Sequence, residues 1–371
     1  MTNKNIKTPS EETASRSHPK RKVTYTPPSY LDAPKPKVDG IKYRWLRVSA
    51  GGEDDARNIS KRKREGYEFV KKEEHPDFDV PMHESGKYAG VIGHGDLVQT
   101  KEGAWHMVVL GFRPIEKKYK NLGRETFLVP VTWEIEPYWW KEDKITWPVC
   151  SPKTGKVEFE YSVPFRGTKQ LKVNEFNDNF DEAKLNAEWN FRRTPISPFH
   201  SLNENMGFLR LYLKQGFINK QAQYSFIGIR QRHFQMEIKS KMEFNPSGNE
   251  EAGVIVIQND RSAYIMSLMD GKIMLHHYFH GTKSLLASHP YKNSTVFWNI
   301  SANYLDYDFS FSQDGRTWVM LFDNADGSKL SPESSGWTYT GVYVGVYGSS
   351  NNSISSNYAD FDWFHYKGVS E

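Results

Sequence analysis

From Val173 onward, apolar residues recur in short runs divided by turn signals, the pattern of an antiparallel β-sandwich. The runs are Gly207 to Tyr212, Tyr224 to Gln231, Phe234 to Phe244, Glu251 to Gln258, Ala263 to Asp270, Lys272 to Tyr278, Thr295 to Ser301, Tyr304 to Ser312, Thr317 to Phe322 and Gly341 to Tyr347, with a last strand from Asn357 to Lys367. Asp270-Gly271 and Asp314-Gly315 carry the residues that two-residue hairpin turns require. In the last strand, strict alternation places Tyr358, Asp360, Asp362, Phe364 and Tyr366 on one face and Ala359, Phe361, Trp363 and His365 on the other. Aromatic bulk on both faces means that this strand inserts among formed neighbours. No helix of any length fits this half.

Upstream the pattern changes twice. Within residues 101–170, Trp105 to Leu110 and Glu125 to Trp133 are apolar strand-like runs, and Trp147 to Tyr161 reads as a hairpin turning at Ser151-Pro152-Lys153-Thr154-Gly155. Residues 41–100 read as a small α+β unit. Ile41 to Val48 alternates like a strand, Gly51-Gly52 breaks it, and Asp54-Asp55 suits the start of a helix reaching about Lys72. Gly90 to Asp96 reads as strand and turn, with a glycine spacing that does not suit a phosphate loop. Residues 1–40, rich in Lys, Ser, Thr and Pro, read as a disordered basic arm.

Composition narrows the class. Aromatics make up 14%, with 11 Trp and 20 Tyr, which suits sandwich cores and also sugar-stacking surfaces. A net charge of +4, from basic residues interleaved with acids, gives no case for a nucleic-acid partner. Cys150 is the single cysteine, so no intrachain disulfide forms. Met1 to Lys22 lacks the apolar core of a secretion signal, and no apolar run reaches membrane-spanning length. The expectation is a cytoplasmic chain, or a virion component if phage-encoded.

Several motifs carry a family resemblance. They are Phe176-Asn177-Asp178-Asn179-Phe180-Asp181 with Leu185 and Trp189, Gly207-Phe208-Leu209-Arg210-Leu211, Ala252-Gly253 with Gln258-Asn259, Asp314 to Trp318, Thr340 to Gly345, and Ala359-Asp360-Phe361-Asp362-Trp363-Phe364. In this order they resemble the C-terminal concanavalin A-like domain of glycoside hydrolase family 43 β-xylosidases. Leu122 to Trp133 and Trp147-Pro148-Val149 resemble the end of the catalytic five-bladed propeller of the same enzymes. The unit from residue 41 resembles small structural proteins of tailed phages.

The resemblance implies a concanavalin A-like jelly roll over residues 171–371, preceded by a propeller remnant over 101–170. It also implies site residues. Arg124 matches an arginine of the family's substrate pocket, and Trp337 or Tyr339 match the aromatic that reaches toward that pocket from a sandwich loop. Glycoside hydrolysis needs two carboxylic groups across the scissile bond, which the family carries on earlier blades. Residues 103–165 have room for little more than one blade, whereas propellers close with about four to eight. No catalytic residue is therefore assigned. Glu125 alternates away from Arg124 and reads as structural.

Two acidic residues, Asp181 and Asp362, would meet where the first and last sandwich strands pair, either as calcium ligands or as solvated edge acids. His276, His277 and His280 read as exposed imidazoles rather than a metal site. The expected function is a carbohydrate-associated module, inactive alone, that binds a xylo-oligosaccharide or another glycan. The alternatives are a fragment or subunit of a β-xyloside hydrolase, and a structural virion or assembly protein, with a homo-oligomer or virion partner.

Overall fold

A computed structural model of the chain describes residues 49–50, 53–54, 93–136, 145–162 and 174–369, apart from 117, 156, 159, 217, 219–223 and 337–338. The arm expected over 1–40 and the helix expected to reach Lys72 lie outside them. The chain divides into two compact units, Met1–His83 and Glu84–Glu371. In the first, β1 (Ser49–Ala50) pairs with β2 (Glu53–Asp54) across the Gly51-Gly52 step. Asp54 is thus a strand residue opposite Ser49, where the sequence had suggested a helix start.

The second unit begins with β3 (Gly93–Gln99), β4 (Trp105–Gly111), β5 (Glu125–Glu136) and β6 (Ile145–Cys150). They form one four-stranded antiparallel sheet in the order β3-β4-β5-β6. This is the meander of a single propeller-type blade. It starts at Gly93, inside the span read as the small N-terminal unit.

The sandwich follows with β7 (Glu175–Asp178), β8 (Asn190–Phe191), β9 (His200–Ser201), β10 (Leu209–Tyr212), β11 (Ser225–Arg230), β12 (Gln235–Glu243), β13 (Glu251–Asn259), β14 (Ser262–Met269), β15 (Lys272–Phe279), β16 (Thr282–Pro290), β17 (Thr295–Asn303), β18 (Asp306–Ser312), β19 (Trp318–Asp326), β20 (Tyr343–Ser349) and β21 (Tyr358–Gly368). One sheet runs β19-β18-β17-β12-β21-β10-β9, with β7 also on β21; the other runs β16-β15-β14-β13-β20-β11-β8. The only described helical turns are Gly327–Leu330 and Pro332–Ser335, between β19 and β20.

The core lies between the two sheets. Alternate residues of β12 and β17 (Ile238, Met242, Val296, Trp298, Ile300) meet those of β13 and β14 (Val254, Val256, Tyr264, Met266, Leu268) in one cluster. Each such side chain contributes about 1.5–3 kcal/mol by leaving water. The Phe176 to Asp181 motif serves this core: Asp178 accepts hydrogen bonds from the Phe180 amide (2.8 Å) and from Trp189 Nε1 (2.7 Å). That holds the Trp189 ring against Phe176 and Phe364.

Three expectations are corrected. The first is the alternation of β21. A β-bulge shifts its register against β12, so that Lys241 faces Trp363 while Met242 faces Phe361, leaving Asp362 as the extra residue. Ala359, Phe361, Phe364 and Tyr366 all enter the same core, and Asp362 and Trp363 turn outward. The second is the Asp314-Gly315 turn, which lies in a longer loop from residue 313 to 317. There Asp314 accepts hydrogen bonds from the amides of Arg316 and Thr317, which hold its carboxyl down to about 2. The third is the three histidines. His276 and His277 are half-buried, with His276 Nδ1 and His277 Nε2 unpartnered, and only His280 is exposed.

Candidate functional site

The blade and the sandwich meet at the segment 112–125. Ile115 and Leu122 are buried there against Phe234 of the sandwich, with Tyr119 and Leu305 beside them. The contact is closest where two backbones touch. A Cβ on Gly123 would lie 2.2 Å from Gly341 N, and one on Gly341 would lie 2.1 Å from the Leu122 oxygen. Both positions therefore demand glycine, and Gly123 also has φ +66°.

Polar groups fix the same joint. Arg230, at the end of β11, donates Nη2 hydrogen bonds to the carbonyls of Leu122 and Arg124. The Val342 amide donates to Asn121 O (2.8 Å), and Asn121 Nδ2 donates to Gly327 O (2.8 Å). Lys120 Nζ binds Glu333 at 2.7 Å. These groups are largely withdrawn from water, where unmade hydrogen bonds are costly, so the joint is strongly specified.

Arg124 and Tyr339 come together on this joint. The Arg124 amide donates to Tyr339 O (3.1 Å), and the Arg124 guanidinium lies 3.6 Å from the centre of the Tyr339 ring. A planar cation over a ring face at this distance is an attractive cation–π contact. Tyr339 is 49% exposed, with its backbone held by the blade. Trp337 lies outside the described residues. Glu125 turns away from Arg124: Arg113 grips it through two hydrogen bonds, Nε to Oε2 at 2.9 Å and Nη2 to Oε1 at 2.8 Å. Its role is structural.

The two acids considered for calcium are placed differently. Asp362 binds Lys241 Nζ at 2.7 Å, and Asp181 is exposed, its Oδ1 lying toward Gly207. Among the described residues no group of three His, Cys, Asp or Glu is placed to hold a metal ion. A calcium ion would need Lys241 displaced and further oxygen ligands, so these residues do not fit it as they stand.

A family model described as the beta xylosidase C-terminal concanavalin A-like domain matches residues 177–367. The chain belongs to this family. Its β-xylosidase-type sandwich has curated relatives, among them the non-reducing end α-L-arabinofuranosidase BoGH43B of Bacteroides ovatus, 34% identical over 290 residues, 74% of this chain and 51% of the relative. A solved structure, the Bacteroides ovatus xyloglucan-locus GH43B, superposes with a TM-score of 0.69 at 32% identity, over 78% of this chain and 56% of that one. The GH43 BlXynB protein of Bacillus licheniformis superposes with a TM-score of 0.68 at 29% identity, over 75% and 53%. The chain thus spans about half the length of the curated relatives it matches. The share of the chain matched by BoGH43B, 74%, exceeds residues 177–367 alone.

Sequence reasoning named Arg124 and Tyr339, which the fold brings together, but not Arg230 or Asn121, and it held Gly123 and Gly341 only as members of motifs. A lone arginine ending a strand carries no periodic signal. Gly341 stood within a recognised motif, yet only its contact with Leu122 explains it.

Proposed function

We propose that the chain is a glycan-binding module derived from a β-xylosidase, which holds the end of a xylo-oligosaccharide on Tyr339 and does not hydrolyse glycosides by itself. The observation that carries this reading is the Arg124–Tyr339 pair. An exposed ring stacks on the C–H face of a sugar, and the guanidinium beside it has donors to spare for hydroxyls. The names of the relatives, xylosidases and arabinofuranosidases, support a xylose- or arabinose-containing ligand. The reading that it is inactive alone is supported by the need for two carboxylic groups across the scissile bond, which the family carries on other blades, whereas the described residues form one four-stranded blade.

Calorimetry with xylohexaose tests it. Binding is expected for the native chain, loss in Tyr339→Ala and retention in Tyr339→Phe; equal binding by Tyr339→Ala would overturn the reading. Turnover of an aryl xyloside by the purified chain, abolished by Arg124→Ala, would sink the claim that it is inactive alone.

A second reading, a hydrolase subunit completed by another chain, rests on the blade's surface. Val98, Val108 and Leu128 share one face and are 45%, 37% and 40% exposed. A blade buried on both faces needs a neighbour there. Turnover that appears only on mixing with a propeller-bearing chain would favour this reading.

A further inference from the structure

We infer that the outward face of the eight-stranded sheet is a separate binding surface for a neutral polysaccharide chain, laid across Trp318, Phe297, Trp363 and His365. The register brings these rings into line. Lys241 of β12 faces Phe297 on one side and Trp363 on the other, while Ser312 stands between Phe297 and Trp318. Phe297 and Trp363 lie 6.3 Å apart between ring centres, and Trp363 stacks on His365 at 4.5 Å with an interplanar angle of 29°. The three rings make a continuous tilted strip.

The bulge at Asp362 is what creates it. Had β21 alternated strictly, the side chains of the stretch would have been divided differently between core and surface. The extra residue instead turns Trp363 and His365 outward beside Phe297, while Phe361 and Phe364 stay in the core. A Cβ on Gly315 would meet the Phe297 ring at 3.0 Å, so the 313–317 loop lies against the strip at its edge.

The groups around the rings suit a sugar chain. Beside the Trp363–His365 stack an open depression is lined by Asn177, Glu237 and Lys239. Further along, Lys239 Nζ lies 5.6 Å over the Trp318 ring, and the strands between carry the small residues Asn299 and Ser310. Asn299 Nδ2 donates to Ser310 Oγ at 3.2 Å, which ties β17 to β18 through their side chains.

Charge selects the ligand class. Of the lysines on the face, Lys239 pairs with Glu237 at 2.8 Å and Lys241 with Asp362 at 2.7 Å, while Lys367 lines the depression together with Glu175 and Glu237. A polyanion would find no surplus positive charge on these pairs. Rings with paired charges and amide groups fit the apolar faces and hydroxyl edges of an uncharged glycan. The surface is independent of Tyr339, which precedes β20 in the other sheet.

Affinity electrophoresis through gels containing soluble arabinoxylan tests the inference. The native chain is expected to be retarded, Trp363→Ala to bind about tenfold more weakly, and the same loss to appear when Trp363→Ala is introduced into a Tyr339→Ala background. Trp318→Ala and His365→Ala, which leave the core untouched, are expected to weaken binding in the same direction and decide the matter if Trp363→Ala fails to fold. Three results would overturn it: no retardation of the native chain, native retardation by all three ring variants, or loss in Tyr339→Ala alone. Retardation by heparin in place of arabinoxylan would likewise count against a neutral ligand.

Discussion

Phe361 and Phe364, three positions apart in one strand, are both completely buried in the same core. In a regular strand they would lie on opposite faces. The bulge at Asp362 reconciles them, and a mutational series reads it directly. Phe361→Ala and Phe364→Ala are each expected to cost about 3–5 kcal/mol, and Trp363→Ala far less, in chemical denaturation. Comparable losses at Phe361 and Trp363, with Phe364 tolerant, would contradict the bulged register.

The joint between blade and sandwich gives a second expectation. Arg230 caps two carbonyls that have few alternatives, so Arg230→Ala is expected to cost about 1.5–3 kcal/mol. It is also expected to quicken proteolysis within 112–125. Arg230→Lys keeps a single nitrogen with several donors but loses the planar, pre-organised guanidinium and its reach, and is expected to recover only part of the loss. Thermal unfolding and trypsin time courses measure both.

Gly341→Ala places a methyl 2.1 Å from the Leu122 carbonyl oxygen. The backbones must separate, at a cost of about 2–3 kcal/mol. Xylohexaose affinity is expected to fall with it, because the Tyr339 carbonyl loses its fixed relation to the Arg124 amide. Unchanged affinity and stability together would show that the close approach is not needed.

Acid should loosen the fold through its histidines. Burial, with the Lys283 charge adding to it, lowers His276 from an ordinary 6.5 to about 4, although Glu251 opposes the shift. Between these values the unfolded chain binds the proton and the folded chain does not. Stability is therefore full above about pH 6.5 and falls as pH drops toward 4. His276→Gln is expected to remove about 1–3 kcal/mol of that dependence. A residual slope should remain from His277 and His233, which burial also lowers. Denaturant midpoints from pH 4 to 8 record it.

Calcium provides a negative control. With Asp362 held by Lys241 and Asp181 exposed, chelator and millimolar calcium are expected to give the same melting temperature. A calcium-dependent rise, lost in Asp362→Asn, would show that Lys241 yields its partner to the ion.

Much of this fold was legible because the strands of a sandwich alternate and end at turn residues. Ile238 and Met242, or Val254 and Val256, announced the inner rows directly. The strand Thr282–Pro290 gave no such signal, since it is an edge strand whose residues are mostly exposed and so need no apolar period. The bulge was hidden for another reason: Asp362 becomes the extra residue only through its partner Lys241, more than a hundred positions away. The site was half legible. Its exposed members belonged to known motifs, whereas the residues that clamp them are defined by contacts between segments such as Arg230 and Leu122.

The strand β21 lies inside its sheet, flanked by β12 on one side and by β10 and β7 on the other. During synthesis its partners all leave the ribosome before it does. Phe176 pairs with Tyr366, and must wait for nearly the whole sandwich to be translated. Until then β12 and β10 present open edges beside an unfilled core. The domain is thereby committed to folding late and all at once, with its exposure to aggregation greatest just before β21 emerges.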